Sequence, residues 1–221
     1  RAFMEKAYAG RELEKQELGG EYIEKVAGAL LDYATIHAHR VPFSPHTFRQ
    51  IVVAVDPAVT DGERSDDTGI IVYGHTADDQ GYPLADESGK YDIDSGAWAR
   101  KVVDVYRQWD AHKVIMEANN GGKHLSATIH AVDRSVPVEL VTATVGKRTR
   151  AEPIAQLYRS GRIHHVGDAR MWQALEEQWT SWVPGEGKSP NNLDAEVWAA
   201  MVKERAAGRT RVLGVSNVSR R

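Results

Sequence analysis

The chain has 221 residues, of which 42% are hydrophobic, a formal net charge of -3 and no cysteine. This length suffices for one principal domain with extensions, which we favour over two very small domains. The lack of cysteine excludes disulfide bonds and thiolate metal sites, so oxygen or imidazole ligands must bind any metal ion. No apolar run is long enough for a membrane span and no secretory signal opens the sequence, so we expect no membrane partner.

The charged residues are unevenly distributed along the chain. From Ala54 to Asp94 there are eleven acidic and two basic residues, whereas from Thr144 to Arg170 there are six basic and two acidic residues. From Lys203 to the end there are six basic residues and one acidic residue. A protein that binds cations at one place and a polyanion at another would have this distribution, and solvated surface charge of both signs would also produce it.

Residues 1–45 are predicted to be a helical segment that leads into the main domain. Apolar residues recur among charged ones at helical spacing, and Gly19-Gly20 interrupts the pattern. The two prolines of Val41–His46 mark the passage into the main domain. Because the chain starts on Arg1 and its first segment reads like the middle of a longer sequence, we expect a fragment of a longer polypeptide.

Two apolar runs open the main domain, which we place at residues 46–210. Ile51–Val55 is almost entirely β-branched, which is typical of a strand buried on both faces, and it is followed by Asp56 and Pro57. Gly69–Tyr73 is a second apolar run, so the pair predicts a hairpin with a long acidic connection. Asp56 is therefore expected at the end of a central strand, where a functional site would lie.

A further strand that ends on an acid is predicted in the middle of the chain. Lys113–Met116 is followed directly by Glu117, and the glycines after it allow a tight turn into a helix. The other elements predicted here are a short strand around Lys90–Ile93, a helix from a Ser95 cap to Trp109, a helix from Lys123 to Asp133 and a strand at Val138–Val141.

The last third of the chain alternates basic and amphipathic segments. Its predicted elements are a basic loop at Gly146–Arg150, a helix to Arg159 with Thr149 and Glu152 as a capping box, an edge strand at Arg162–Val166, a helix at Ala169–Trp179, a loop at Pro184–Asn192 and a helix at Leu193–Ala207. Residues 211–221 are predicted to be a basic, disordered tail.

Asp194, at the start of the last predicted helix, has two interpretations. It shares a helical stripe with Trp198 and Met201, and a lone acid on an inward face is costly unless its charge is neutralised. An acid in the first turn also suits the helix dipole, with Asn191 or Asn192 as the cap. A structural and a catalytic role are therefore both open for this residue alone.

Three acids considered together favour a catalytic role. Asp56, Glu117 and Asp194 are distant in sequence, but each lies at the edge of a predicted element, and a sheet brings such edges together. Oxygen ligands without Cys or clustered His favour Mg²⁺ or Mn²⁺ over Zn²⁺. Two such ions about 3.5 to 4 Å apart would activate a water and stabilise the leaving oxygen in phosphodiester cleavage. We predict a two-metal nuclease with Asp56 as the bridging ligand, whereas a Ca²⁺ loop is disfavoured because Ala58 stands where an EF-hand needs an oxygen ligand.

Several motifs in a fixed order carry a family resemblance. Between Arg49 and Ala207 the sequence contains VVAVDPAV, SDDTGIIVYG, VIMEANNGG, GKRTRAEPIAQLYRSGRIHHVG and WVPGEGKSPNNLDAEVWA. Together they resemble the C-terminal nuclease domain of the large terminase subunits of tailed bacteriophages. The resemblance implies an α/β fold of ribonuclease H-like type, a mixed β-sheet flanked by helices, which cleaves double-stranded concatemeric viral DNA during genome packaging.

The resemblance also implies site residues and partners. Asp56, Glu117 and Asp194 match the family's metal-binding acids, and Asp66 or Asp67 matches a further acid near the site. The family's N-terminal ATPase domain carries a Walker A loop, but no GxxxxGK[ST] motif occurs here, so this chain is not expected to hydrolyse ATP. The implied partners are that ATPase domain, the portal protein, the small terminase subunit and double-stranded DNA, in the cytoplasm of the infected bacterial host.

Basic residues near predicted turns are the candidates for DNA contact. Lys147, Arg148 and Arg150 follow Gly146 beside a predicted helix start, an arrangement that suits phosphate binding. Lys123 and His124, close to Glu117, are further candidates, and ordinary surface charge is the other interpretation for all five.

Two other functions stay open from the sequence. The first is another ribonuclease H-like nuclease, of the junction resolvase or transposase type, and the second is a non-catalytic module that binds DNA or the portal.

The six tryptophans fit helix faces and are interpreted as core. His164 and His165 are neighbours on a predicted strand and would point to opposite faces, so they are assigned no site.

Overall fold

The computed structural model of the chain describes residues 26–57, 67–91, 96–118, 122–186, 190–202 and 211–212. Its strands are β1 (Thr47–Phe48), β2 (Gln50–Asp56), β3 (Gly69–His75), β4 (Gly81–Asp86), β5 (Lys113–Glu117), β6 (Val138–Val141) and β7 (Arg211–Val212). Its helices are α1 (Tyr33–Ala38), α2 (Ala97–Gln108), α3 (Gly122–Val132), α4 (Lys147–Arg159), α5 (Gln173–Ser181) and α6 (Asn191–Met201), with a 3-10 helix at Ala169–Trp172 before α5. None of the described helices is long and apolar enough to cross a membrane.

Five strands form one mixed sheet in the order β4-β3-β2-β5-β6. Strands β2, β3 and β4 pair antiparallel, as the predicted hairpin requires, whereas β2 with β5 and β5 with β6 pair parallel. In the parallel pair, Val55 is the partner of Met116, so the residues that follow them leave the sheet at the same edge. The mixed sheet with flanking helices confirms the predicted fold class.

The central strand β2 is buried on both faces because its side chains alternate between two hydrophobic cores. Ile51, Val53 and Val55 pack with α2 and α3, whereas Val52 and Ala54 pack with α4, α5 and α6. The β-branched run predicted this burial. Each of the two cores is closed by a separate layer of helices, so the sheet is the middle layer of three.

The segment before the sheet contributes to one of these cores. The predicted helical segment of residues 1–45 lies largely outside the described residues, and between residues 26 and 45 the helical part is α1. Leu31 and Ile36 are each 1% exposed and pack in the core with α4, α5 and α6. The end of the predicted linker segment therefore packs against the main domain, while the domain boundaries themselves stay predictions.

The edge strand β4 was not predicted. The sequence interpretation placed a strand around residues 90–93, but Lys90 and Tyr91 have no strand structure, and residues 92 and 93 lie outside the described part. The strand at Gly81–Asp86 contains Pro83, and proline cannot donate to a ladder. The structure accommodates Pro83 on an edge strand, beside an irregularity in the register at Val72/Tyr73.

Helix α4 begins where a loop was predicted. Lys147–Arg150 is its first turn rather than a basic loop, and the N-cap is Gly146, which has extended backbone and makes no side-chain cap. The predicted capping box of Thr149 and Glu152 is wrong, because Glu152 instead accepts a hydrogen bond from Arg148 at 2.8 Å. A cap that uses no side chain leaves little signal in the sequence.

Other helix and strand boundaries also differ from the predictions. The residue preceding α6 is Pro190, so Asn191 and Asn192 lie inside that helix and do not cap it. Gly96, with φ 64°, precedes α2, and the predicted cap Ser95 lies outside the described residues. The predicted strand at Arg162–Val166 is reduced to isolated bridges at Ile163 and Val166.

Two predicted helices and the tail have modified limits. The helix predicted at Ala169–Trp179 is a 3-10 turn followed by α5, which extends to Ser181. The last helix ends at Met201, and residues 203–207 of its predicted range lie outside the described part. The predicted basic tail begins at residue 211, and its first two residues form β7, which pairs antiparallel with β1.

Candidate active site

Three acids from distant parts of the chain meet at one edge of the sheet. Asp56 ends β2 and Glu117 ends β5, and these two strands are parallel neighbours. Asp194 lies in the first turn of α6, which packs on both β2 and β3. Gly69, at the start of β3, allows α6 to begin so close to the sheet, because a Cβ there would lie 2.2 Å from the carbonyl oxygen of Asn191.

Two basic residues of α4 connect the three acids. The Lys147 ammonium contacts Asp194 Oδ2 and lies 4.0 Å from Asp56 Oδ2. One nitrogen of Arg150, Nη2, lies 3.4 Å from Glu117 Oε2 and 3.8 Å from Asp194 Oδ1. Asp194 thus shares one cation with each of the other two acids. The site combines three carboxylates with two positive charges.

The carboxylates are largely removed from solvent. The side chain of Asp194 is 2% exposed, that of Glu117 13% and that of Asp56 15%. Burial raises the pKa of Asp56 to about 7, and the charges of Asp194 and Glu117 add to this rise, whereas Lys147 and Arg150 oppose it. The two basic residues therefore neutralise the acids incompletely, and an additional cation would be bound favourably.

The acids provide the donor set of a hard divalent cation. Carboxylate oxygens without sulfur ligands suit Mg²⁺ or Mn²⁺. Within the described part of the chain, however, no group of three His, Asp or Glu side chains is arranged closely enough to hold a metal ion. Lys147 occupies the space between Asp56 and Asp194, and its side chain is 40% exposed, so it has room to turn outward. The donor chemistry therefore fits, and closure of the carboxylates around an ion requires Lys147 to move.

The residues predicted to contact DNA divide into two groups. Arg150 is 3% exposed in its side chain and is directed at the acids, so the prediction of a DNA contact does not fit it. Arg148 and His124 are exposed, and Lys147 is partly exposed at the rim of the acid cluster. The side chain of Lys123 lies outside the described part, so its predicted contact stays a prediction.

One of the two secondary acid candidates, Asp67, lies beside the start of α6. Asp67 is exposed, and its backbone carbonyl accepts a hydrogen bond from Asn191 Nδ2 at 2.6 Å. Asp66 lies outside the described residues. Asp67 lines a shallow pocket with Asp86 and Asn192, on the β4 side of α6.

The sequence interpretation missed the contacts that Lys147, Arg150 and Trp198 make with the acids. Trp198 was assigned to the core, but its indole Nε1 donates to Glu117 Oε2 at 3.1 Å. Lys147 and Arg150 are three residues apart and share a face only if they are helical. Helical spacing in the KRTR motif was therefore the signal that could have placed both beside the acids.

Comparison with known proteins places these features in a family. The family model described as the terminase RNaseH-like domain matches residues 53–203, which includes all three acids. No curated protein sequence matches the chain.

Solved structures share the fold at low sequence identity. The nuclease domain of the large terminase subunit gp2 of bacterial virus Sf6 has a TM-score of 0.60 and 12% identity, with 80% of this chain and 100% of that chain covered. A mutant of that domain with manganese and beta-thujaplicinol has a TM-score of 0.57 and 11% identity, with 80% and 100% covered. The large terminase of a thermophilic bacteriophage in complex with ATP-gamma-S has a TM-score of 0.53 and 14% identity, with 89% of this chain but 50% of that chain covered.

Proposed function

The chain belongs to the terminase RNaseH-like domain family, and we propose that it is the nuclease part of a large terminase that cleaves double-stranded concatemeric viral DNA during genome packaging. The observation that carries this proposal is the convergence of Asp56, Glu117 and Asp194 on the same two basic residues at one edge of the sheet. The manganese-bound relative of similar fold supports divalent-metal chemistry at such a site.

Asp56, Glu117 and Asp194 would hold the divalent ions in the proposed reaction. When bound, two Mg²⁺ or Mn²⁺ ions would supply an activated water and stabilise the leaving oxygen of the phosphodiester. Asp56 must lose its proton before it binds a cation, and its pKa of about 7 places that exchange near neutral pH. Lys147 neutralises Asp194, and it would have to turn outward to make room for an ion between Asp194 and Asp56.

The start of α4 is the proposed contact for the DNA backbone. No side chain of a described residue caps this 13-residue helix, so its first N–H groups are available to a phosphate beside the acid cluster. Arg148, whose side chain is 66% exposed, and Lys147 add positive charge at the same helix end. Contacts of this kind go to phosphates and carry little base specificity. His124 and Lys123, at the start of α3, are proposed as additional contacts.

The proposed whole protein is larger than this chain. The large terminase of the thermophilic bacteriophage was solved with ATP-gamma-S, and this chain matches 50% of that protein. From that likeness we infer that the same polypeptide contains an ATPase domain. We also infer that the portal protein and the small terminase subunit are its partners in the host cytoplasm. The nuclease activity is assigned to the described domain because the acids lie within it.

Plasmid cleavage tests this function. Supercoiled plasmid incubated with the protein and Mn²⁺ or Mg²⁺ should be nicked and linearised, EDTA should stop the reaction, and Asp56→Ala should abolish it without loss of the folded state. Plasmid that stays supercoiled in both metals, together with retained binding to double-stranded DNA, would contradict the nuclease and favour a DNA-binding module.

A further inference from the structure

Two side chains from different helices hold one oxygen of Glu117. Trp198 of α6 donates its indole N–H to Oε2 at 3.1 Å, and Arg150 of α4 donates from Nη2 to the same oxygen at 3.4 Å. No hydrogen bond from any described residue reaches Oε1. The carboxylate is therefore held from one side, with its second oxygen left for another ligand.

Arg150 is itself held in place by contacts other than that with Glu117. Its Nη1 donates to the carbonyl oxygen of Val145 at 2.9 Å, and its guanidinium carbon lies 4.6 Å from the centre of the Trp198 ring. Its side chain is 3% exposed, so it cannot exchange these partners for solvent. A guanidinium stacked on an indole is held at a defined orientation, because its planar shape matches the ring face.

We propose that Trp198 and Arg150 form a positioning pair that orients the Glu117 carboxylate by Oε2 and so presents Oε1 to a divalent cation. This inference rests on the proposed metal-dependent nuclease and assigns these two residues a role within it. Neither residue contacts the DNA or the reacting atoms in this role. Groups that orient a metal ligand by hydrogen bonding raise the affinity for the metal, and their loss costs about 10- to 100-fold.

The chain offers a matched control for the tryptophan. Trp182 is 9% exposed and Trp198 is 6% exposed, and both belong to the same hydrophobic core. The indole nitrogen of Trp182 is buried but makes no hydrogen bond within the described residues. Replacement by Phe removes similar packing at both positions, but only at Trp198 does it remove a hydrogen bond to Glu117.

Mn²⁺ binding to the purified chain tests the pair without reference to activity. Electron paramagnetic resonance of free Mn²⁺ gives the concentration for half-occupancy in the wild type, in Trp198→Phe and in Trp182→Phe. We expect Trp198→Phe to raise this concentration about tenfold, whereas Trp182→Phe should leave it unchanged. Thermal unfolding should report a similar loss of stability in both variants, which separates positioning from packing.

Plasmid cleavage at increasing Mn²⁺ gives the second measurement. Trp198→Phe should need about tenfold more Mn²⁺ for its half-maximal rate. Arg150→Lys keeps the positive charge but loses the planar guanidinium group and its stacking on Trp198, so the Mn²⁺ concentration for its half-maximal rate should also rise. A Trp198→Phe variant that binds Mn²⁺ as the wild type does, or a Trp182→Phe variant with an equal loss, would overturn the positioning pair alone. A wild type that neither binds Mn²⁺ nor cleaves plasmid would overturn the proposed function as well.

Discussion

Helix α6 carries two buried carboxylates, and their surroundings differ. Asp194, 1% exposed, faces the sheet edge and is balanced by the charges of Lys147 and Arg150. Glu196, 0% exposed, accepts a hydrogen bond from the Tyr158 hydroxyl. It accepts a second from the indole Nε1 of Trp179 at 2.6 Å. Burial alone therefore does not distinguish a functional acid from a structural one.

The surroundings of Glu196 extend as a closed polar network across the core. The Tyr158 hydroxyl lies 2.6 Å from His165 Nε2, and His165 Nδ1 lies 2.8 Å from Glu176 Oε1. Glu176 also pairs with Arg40, and His37 lies 3.1 Å from its other oxygen. Every member of this network has a fixed partner, which is the condition under which buried polar groups stabilise a unique core.

The kind of partner separates the two regions. Burial raises the pKa of Glu196, which is surrounded by fixed groups in a closed core. Burial also acts to raise the pKa of Glu176, but His165 and Arg40 outweigh it, so that pKa is lowered. At the acid cluster, by contrast, one of the two balancing cations is Lys147, which is partly exposed and able to leave. A site that exchanges cations needs such a replaceable partner, whereas in the core network Glu176 pairs with the fully buried His165 and with Arg40, whose side chain is 15% exposed, as well as with the partly exposed His37.

The largest stability effect is expected from the core network. Glu176→Ala leaves Arg40 and His165 without their carboxylate partner in the core, and removal of one member of a buried ion pair costs about 3 to 5 kcal/mol. The free energy of unfolding measured in urea checks this value. Glu177→Ala, at the exposed neighbouring position, is the control and should change stability little. A loss for Glu176→Ala no larger than that of the control would show that the network does not stabilise the core.

The acid cluster should make the stability depend on pH in the opposite sense to an ordinary salt-bridged acid. The pKa of Asp56 is about 7 in the folded chain and 3.8 as its ordinary value, so between these pH values the folded state holds a proton that the unfolded state has lost. Without metal, this carboxyl should therefore lower the free energy of unfolding by up to about 4 kcal/mol as the pH rises from 4 to 7.

The difference between the wild type and Asp56→Asn isolates this contribution, because other titrating groups are common to both proteins. Urea unfolding at several pH values in EDTA should show the wild type losing stability relative to Asp56→Asn as the pH rises. A constant difference across this range would contradict the raised pKa of Asp56 and the incomplete neutralisation of the cluster.

The smallest effect is expected at the rim of the cluster. Arg148→Ala removes one exposed phosphate contact at the start of α4 and should weaken binding to any double-stranded DNA severalfold, with a salt slope reduced by about 1. Arg170→Ala is the matched control, because Arg170 is 87% exposed and pairs with Asp168 as Arg148 pairs with Glu152. Equal DNA binding by the two variants, measured by fluorescence anisotropy, would contradict the proposed contact.

The sequence was sufficient to predict the central strands and the acids that end them. The β-branched run before Asp56 and the apolar run before Glu117 carry a strong strand signal, and the parallel pairing of these strands brings their ends to one edge. The predicted start of the last helix also placed Asp194 correctly in its first turn.

Other features left no such signal. The buried environment of Glu196 was not predicted, because helical periodicity carries little information on a helix whose described residues are buried almost all round. The start of α4 was misassigned because its cap, Gly146, uses no side chain. Strand β4, an edge strand that contains Pro83, was also not predicted. The assignment of no site to His165 agrees with its two buried contacts, to Tyr158 and Glu176.

The most direct test of the central claim is the rate of plasmid cleavage in Mn²⁺ by Asp194→Asn and by Glu196→Gln, each corrected for the folded fraction. The two variants make the same chemical change at two buried carboxylates of one helix. We predict no detectable cleavage by Asp194→Asn and a rate close to that of the wild type for folded Glu196→Gln. Cleavage by Asp194→Asn at the wild-type rate would contradict the assignment of the three acids as the catalytic site.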